Sequence, residues 1–188
     1  EAWSNRVWGG FDWGWRDPLA HLWLVTNPQT RQIIVYRELY EDHLHDSEAC
    51  RLIQEKTQFP ERLRGSLSDP MMWRGDSHDD ALSKADIYKR NGVFLEKANN
   101  DRVPGWSRIH DLLALDPVTQ QPRLLITRNC ENLIRELQAA VVDETKPEDI
   151  DHDCSDHALD ALRYACMAGR SERARYSRPV VAGRITRR

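Results

Sequence analysis

This chain has no long apolar stretch. Across its 188 residues no run of about 18 apolar side chains occurs, so no membrane-spanning helix is expected. Cysteine is sparse: Cys50, Cys130, Cys154 and Cys166 are far apart and form no CxxC pair. That argues against a zinc ribbon or a thioredoxin-type site and suggests reduced thiols in a cytosolic protein. No GxxxxGK-Ser/Thr loop is present, so the chain is not expected to hydrolyse ATP by itself. There is no GxSxG elbow and no cysteine-nucleophile motif, which sets aside the common covalent hydrolases. The opening Glu1-Ala2-Trp3-Ser4-Asn5 lacks a basic n-region and an apolar h-region, so no secretory leader is expected. It also lacks an initiator Met, as a processed chain or a fragment would. Gly/Ser linkers and internal repeats are missing too, and the length suits one large domain or one domain with a tail.

A formal net charge of −3 carries no overall nucleic-acid signal, but the charge is unevenly placed. Residues 169–188 hold Arg170, Arg173, Arg175, Arg178, Arg184, Arg187 and Arg188 against the single acid Glu172. Residues 143–156 are strongly acidic. A basic tail beside an acidic cluster suits a protein that touches phosphate and holds metal, although a solvated tail has the same composition.

The chain opens with three strand-like runs, at 6–12, 19–26 and 32–39. Asn27-Pro28-Gln29-Thr30 supplies turn chemistry between the second and third. Helical spacing then predicts helices over 46–56, 77–90, 104–115, 129–137 and 156–167. Asp46 or Ser47 is the expected cap of the first and Asn129 of the fourth, and Asn91-Gly92 is the expected stop of the second. Short strands are expected at 63–67, 93–95 and 123–127. A meander followed by alternating strands and helices implies an α/β domain with a mixed sheet flanked by helices.

Four acids stand out. Asp156 and Asp160 are four residues apart in Ser155-Asp156-His157-Ala158-Leu159-Asp160-Ala161-Leu162-Arg163-Tyr164, so a helix places both on one face. An acid in a first helical turn explains Asp156 well. It explains Asp160 poorly, because Asp160 sits between apolar neighbours and needs a partner, either a metal or Arg163. Asp12 ends the first strand and Asp69 ends the fourth, where α/β sheets tend to bind ligands. Both are also ordinary turn residues. Carboxylates gathered from distant segments are how proteins hold hard divalent ions. His157 reads as a surface residue, with ligand or proton shuttle as the alternatives. Asp76, Asp79 and Asp80 form a rival cluster that lacks the Gly and terminal Glu of an EF-hand loop. His43 and His45 have no evident third ligand for zinc. The seven tryptophans suit packing more than base stacking.

The chain resembles the C-terminal nuclease domain of the large terminase subunit of tailed bacteriophages. The resemblance rests on Gly9-Gly10-Phe11-Asp12-Trp13-Gly14, Leu67-Ser68-Asp69-Pro70 and the motif from Ser155 to Tyr164. Asn91-Gly92-Val93, Lys97-Ala98-Asn99-Asn100-Asp101-Arg102 and Pro104-Gly105-Trp106 add to it. It implies an RNase H-like domain over residues 1–168, an Arg-rich tail over 169–188, and a metal-dependent endonuclease that cuts concatemeric viral DNA during packaging. It further implies double-stranded DNA as substrate, a packaging ATPase domain that this stretch lacks, the small terminase subunit and portal as partners, and the cytoplasm of the infected host as location. Asp12, Asp69 and Asp156 match the family's acids, and Asp160 matches a further one. Whether Asp156 or Asp160 is the main third ligand is open.

Two divalent ions, magnesium or manganese, about 4 Å apart are the expected cofactors. Asp12 is expected to bridge them and Asp69 and Asp156 to hold one each, with Asp160 orienting water or acting behind them. Arg170, Arg173 and Arg175 are the expected phosphate contacts. A junction resolvase or ribonuclease H is the nearest enzymatic rival. A non-catalytic DNA- or portal-binding module is the rival of another class.

Overall fold

A computed structural model describes residues 7–58, 61–75, 82–151 and 154–168. Its centre is a six-stranded mixed sheet in the order β5-β4-β1-β2-β3-β6. The strands are β1 (Val7–Asp12), β2 (Leu19–Thr26), β3 (Ile33–Glu41), β4 (Leu63–Ser68), β5 (Leu95–Lys97) and β6 (Leu124–Ile126). β2 runs antiparallel to both β1 and β3. The pairs β1–β4, β4–β5 and β3–β6 are parallel. β1, β3 and β4 therefore end at the same edge, which carries Asp12 and Asp69.

Strand periodicity sorts the side chains onto two faces. Trp8, Ala20, Leu22, Leu24 and Leu67 pack on one face beneath α3 (Arg102–Leu113), α4 (Glu131–Ala139) and α5 (His157–Met167). Val7, Phe11, Leu19, Trp23 and Leu39 pack on the other beneath α1 (Asp46–Lys56) and α2 (Lys84–Arg90). Asp12 shares the parity of Trp8, and Asp69 follows Leu67 by two, so both acids belong to the α5 face. Burying each large apolar side chain contributes roughly 2 kcal/mol. Leu159 and Leu162 therefore dock α5 firmly across β1, β2 and β4. Gly10 permits the approach, since a Cβ there would sit 1.9 Å from the Ala161 carbonyl oxygen.

The expected meander and mixed sheet are present. The second helix is shorter than its periodicity predicts: residues 82 and 83 are not helical, and α2 starts at Lys84. Ser83 sets that start, its Oγ accepting from the Asp86 N–H at 3.2 Å. Gly92, at φ +80°, ends the helix as expected. Asp46 does not cap α1; its carboxylate takes Trp13 Nε1 at 3.0 Å and Lys84 Nζ at 2.8 Å. Asn129 does not cap α4; it donates to the Tyr36 carbonyl at 2.9 Å. β5 begins two residues later than expected, at Leu95. Residues 77–81 of the expected second helix, the acids Asp76, Asp79 and Asp80, and the tail arginines Arg170, Arg173 and Arg175 lie outside the described residues.

Candidate active site

The site begins with how α5 starts. Asp156 occupies the N-cap position, yet its side chain makes no capping hydrogen bond. Capping comes instead from Glu136 on α4. Its Oε2 accepts from the Ala158 and Leu159 N–H groups at 2.7 and 3.1 Å. Its Oε1 accepts from Tyr40 Oη at 2.6 Å and Ser155 Oγ at 3.1 Å. The buried Glu136 carboxylate thus satisfies orphan donors at the positive end of the helix. Asp156 is left to turn elsewhere.

It turns to Arg102, the first residue of α3. Arg102 Nη1 and Nη2 each lie 3.3 Å from Asp156 Oδ2, and Nη1 lies 3.7 Å from Asp160 Oδ2. Its Nε donates to both oxygens of Asp149, at 2.9 and 3.1 Å. Asp160 is held in addition by Arg163 Nε at 3.0 Å and Tyr164 Oη at 3.3 Å. Arg163 is buried and also donates to the Asn100 carbonyl at 2.8 Å.

Asp69 fills the turn role expected of it, and its second oxygen faces Asn100 and Tyr164. Oδ1 accepts from the Met71 N–H at 2.6 Å and starts a 3-10 turn over Pro70–Trp73. Oδ2 takes Asn100 Nδ2 at 3.0 Å and Tyr164 Oη at 3.3 Å. Tyr164 therefore links Asp69 to Asp160, and burial beside these acids pushes its hydroxyl pKa well above the ordinary value. Of the two partners expected for Asp160, a metal or Arg163, Arg163 is in place.

Asp12 completes the edge. Burial, then the charges of Asp160 and Asp156, raise its pKa from 3.8 to about 6, against the opposing effect of His157. Asp156 is raised too, by burial and then by Asp160, with Arg102 opposing. The reading of His157 as a surface residue is corrected. Its side chain is 21% exposed, and Nδ1 lies 3.6 Å from Asp12 Oδ2. Its pKa is raised, chiefly by the interaction with Asp12 and against the pull of burial.

The donor set is hard: carboxylate oxygens with one imidazole beside them, the chemistry that suits magnesium or manganese. Among the described residues, no group of three or more His, Cys, Asp or Glu is gathered closely enough to hold an ion as the side chains stand. The hydrogen bonds explain why. Arg102 draws Asp156 and Asp160 toward α3, while Asn100 and the Met71 N–H hold Asp69. The residues fit a divalent ion in the type of donor they offer.

Asn100, Arg102, Glu136, Asp149 and Tyr164 are the participants that residue-by-residue reading did not assign. Asn100, Arg102 and Tyr164 lie within stretches that resemble the family. Glu136 carried a faint signal, an acid three residues after Leu133 on the apolar stripe of α4.

A mixed sheet with β2 as its antiparallel strand, flanked by helices on both faces, places the chain in the RNase H-like fold class. Its structural neighbours are large terminases and their nuclease domains. The large terminase of a thermophilic bacteriophage, in complex with ATP-gamma-S, superposes with a TM-score of 0.69 at 19% identity over 87% of this chain. The chain spans 40% of that protein's length. The P22 large terminase nuclease domain gives 0.64 at 20% identity, covering 86% of this chain and 80% of that one. The nuclease domain of the bacteriophage SPP1 large terminase, with bound Mn, gives 0.61 at 18% identity, covering 86% and 85%. No protein-family model and no curated protein sequence matches the chain. Among the described residues, no helix is long and apolar enough to cross a membrane.

Proposed function

We propose that this chain is a divalent-metal-dependent DNA endonuclease module that acts in viral genome packaging. One observation carries the reading: an RNase H-like sheet brings Asp12, Asp69, Asp156 and Asp160 to a single edge from two strand ends and a helix start. The SPP1 neighbour has Mn bound, which supports a divalent metal in this reading.

Asp12, Asp69, Asp156 and Asp160 would hold the metal, magnesium or manganese, in this proposal. When bound, such ions neutralise charge at the scissile phosphate and lower the pKa of the attacking water. The chain's own groups set the conditions. Asp12, with a pKa near 6, is largely ionised at pH 7 and ready to bind, but it competes with protons in mildly acidic solution. His157 sets Nδ1 3.6 Å from Asp12 Oδ2, and that pairing raises its affinity for a proton. Tyr164 and Arg163 fix the angle of Asp160, and Asn100 that of Asp69. Phosphate contacts are assigned to Arg170, Arg173 and Arg175, largely without sequence readout. The packaging ATPase domain, the small terminase subunit and the portal are the proposed partners, and the infected host cytoplasm the proposed location. The ion pairs that already satisfy Asp156 and Asp160 favour a second reading, a DNA-binding packaging module without catalysis.

Supercoiled plasmid incubated with the chain and Mn2+ or Mg2+, beside an EDTA control and Asp12→Ala, tests the proposal. The expected result is metal-dependent nicking and linearisation that Asp12→Ala loses. Absence of cutting by the folded parent chain moves the assignment to the binding module. Preferential cutting of four-way junctions or RNA–DNA hybrids over duplex DNA moves it to a resolvase or ribonuclease H.

A further inference from the structure

We infer that Arg102 is a resident counter-ion of the carboxylate cluster, and that a divalent cation must displace it from Asp156 and Asp160 in order to bind. The inference rests on the proposed metal-dependent reading and concerns how that site is kept when no metal is bound.

The two ends of the guanidinium are held unequally. At Nε, Asp149 accepts with both oxygens at 2.9 and 3.1 Å. Asp149 is itself immobilised: it is 8% exposed, and its Oδ1 also accepts from Trp106 Nε1 and the Ile150 N–H, each at 2.8 Å. The Trp106 ring lies 5.7 Å from the guanidinium carbon. At the other end, the contacts to Asp156 and Asp160 are 3.3, 3.3 and 3.7 Å. The Asp149 end is an anchor, and the Asp156/Asp160 end is a looser grip. A guanidinium stays charged at any working pH, so Arg102 does not leave this grip by losing its proton.

The consequence is electrostatic. Asp160 and Asp156 lie close enough to Asp12, and Asp160 to Asp156, for their charges to repel, and unpaired like charges in a partly buried site are costly. Arg102 supplies a positive charge where a cation would otherwise be needed. It thereby holds the cluster together without metal and competes with metal for the same oxygens. When an ion binds Asp156 and Asp160, Arg102 remains tied to Asp149 and is retained near the site. A residue that only shaped the ligands for metal would do the reverse, and its loss would weaken binding.

Mn2+ titration calorimetry on the parent chain, Arg102→Gln and Arg102→Lys separates these roles, with thermal melts of each protein with and without Mn2+. The inference predicts that Arg102→Gln binds Mn2+ roughly tenfold more tightly than the parent, as loss of one competing charge implies. It also predicts that Arg102→Gln melts lower without metal and gains more from Mn2+. Arg102→Lys retains the charge without the double grip, so it is expected to fall between the two. It carries the comparison if Arg102→Gln does not fold. Equal or weaker Mn2+ binding by the variants, with saturable binding by the parent, overturns the counter-ion role and leaves the metal site standing. No saturable binding by any of the proteins overturns the metal-dependent reading, and the counter-ion inference with it.

Discussion

The two faces of the sheet treat buried titratable groups in opposite ways, and two histidines show it. On the α1/α2 face, His21 is fully buried, with Nε2 2.7 Å from Ser66 Oγ and the Trp23 ring 4.1 Å away. Burial alone lowers its pKa to about 3, so it is a neutral part of the core. On the α5 face, His157 sits beside Asp12 and its pKa is raised. The same face buries Arg163 and Glu136, each with several partners. A buried group without an opposite charge gives up its own charge and becomes packing. Groups on the α5 face are instead met by opposite charges, as His157 is by Asp12 and Arg163 by Asp160, or by several hydrogen-bond donors, as Glu136 is.

Removing a buried partner on the charged face should have the largest effect on stability. Glu136→Ala leaves the Ala158 and Leu159 N–H groups and two hydroxyls without their acceptor. Chemical denaturation is expected to show a loss of about 3–5 kcal/mol.

Asp12→Asn should act in the other direction. The folded pKa of Asp12 is raised, so between about pH 4 and pH 6 the native state keeps a proton that the unfolded chain has released. Stability therefore falls across that window and stays lower above it. Asparagine is neutral throughout, so without metal Asp12→Asn is expected to be more stable than the parent by about 2–3 kcal/mol at neutral pH. Denaturation curves at both ends of the window check this, and the gain should vanish well below the window.

His157→Gln has the opposite sign. A histidine whose pKa is raised on folding stabilises the fold below its unfolded value, about 6.5. That contribution is lost as pH rises through the folded value, so the variant's deficit should appear in acid and fade in alkali.

The neutral face supplies the smallest effect. Ser66→Ala deprives His21 of its hydrogen bond and is expected to cost about 1–2 kcal/mol, evenly from pH 5 to pH 8, because His21 titrates near pH 3. Cleavage by this variant should match the parent.

Much of the edge was legible beforehand because its signals are local. Strand alternation marks β1 to β3, turn chemistry marks Asp69-Pro70, and helical spacing puts Asp156 and Asp160 on one face. The missed parts depend on contacts across the chain. Glu136 caps a helix that starts 21 residues later, and Asp149 reads as one more acid in an acidic loop until Arg102 and Trp106 reach it. His157 looked exposed because local pattern does not reveal that β1 passes beneath it. The periodicity of residues 77–90 overstated a helix whose start is fixed by the Ser83 cap.

The most direct test of the account compares the faces in one assay: plasmid cleavage with Mn2+ by the parent chain, Asp12→Asn and Ser66→Ala, all verified as folded. The account predicts that Asp12→Asn loses several kcal/mol of charge stabilisation, roughly a thousandfold in rate, and that Ser66→Ala cuts at the parental rate. Cleavage that survives Asp12→Asn, or that falls equally in both variants, would contradict it.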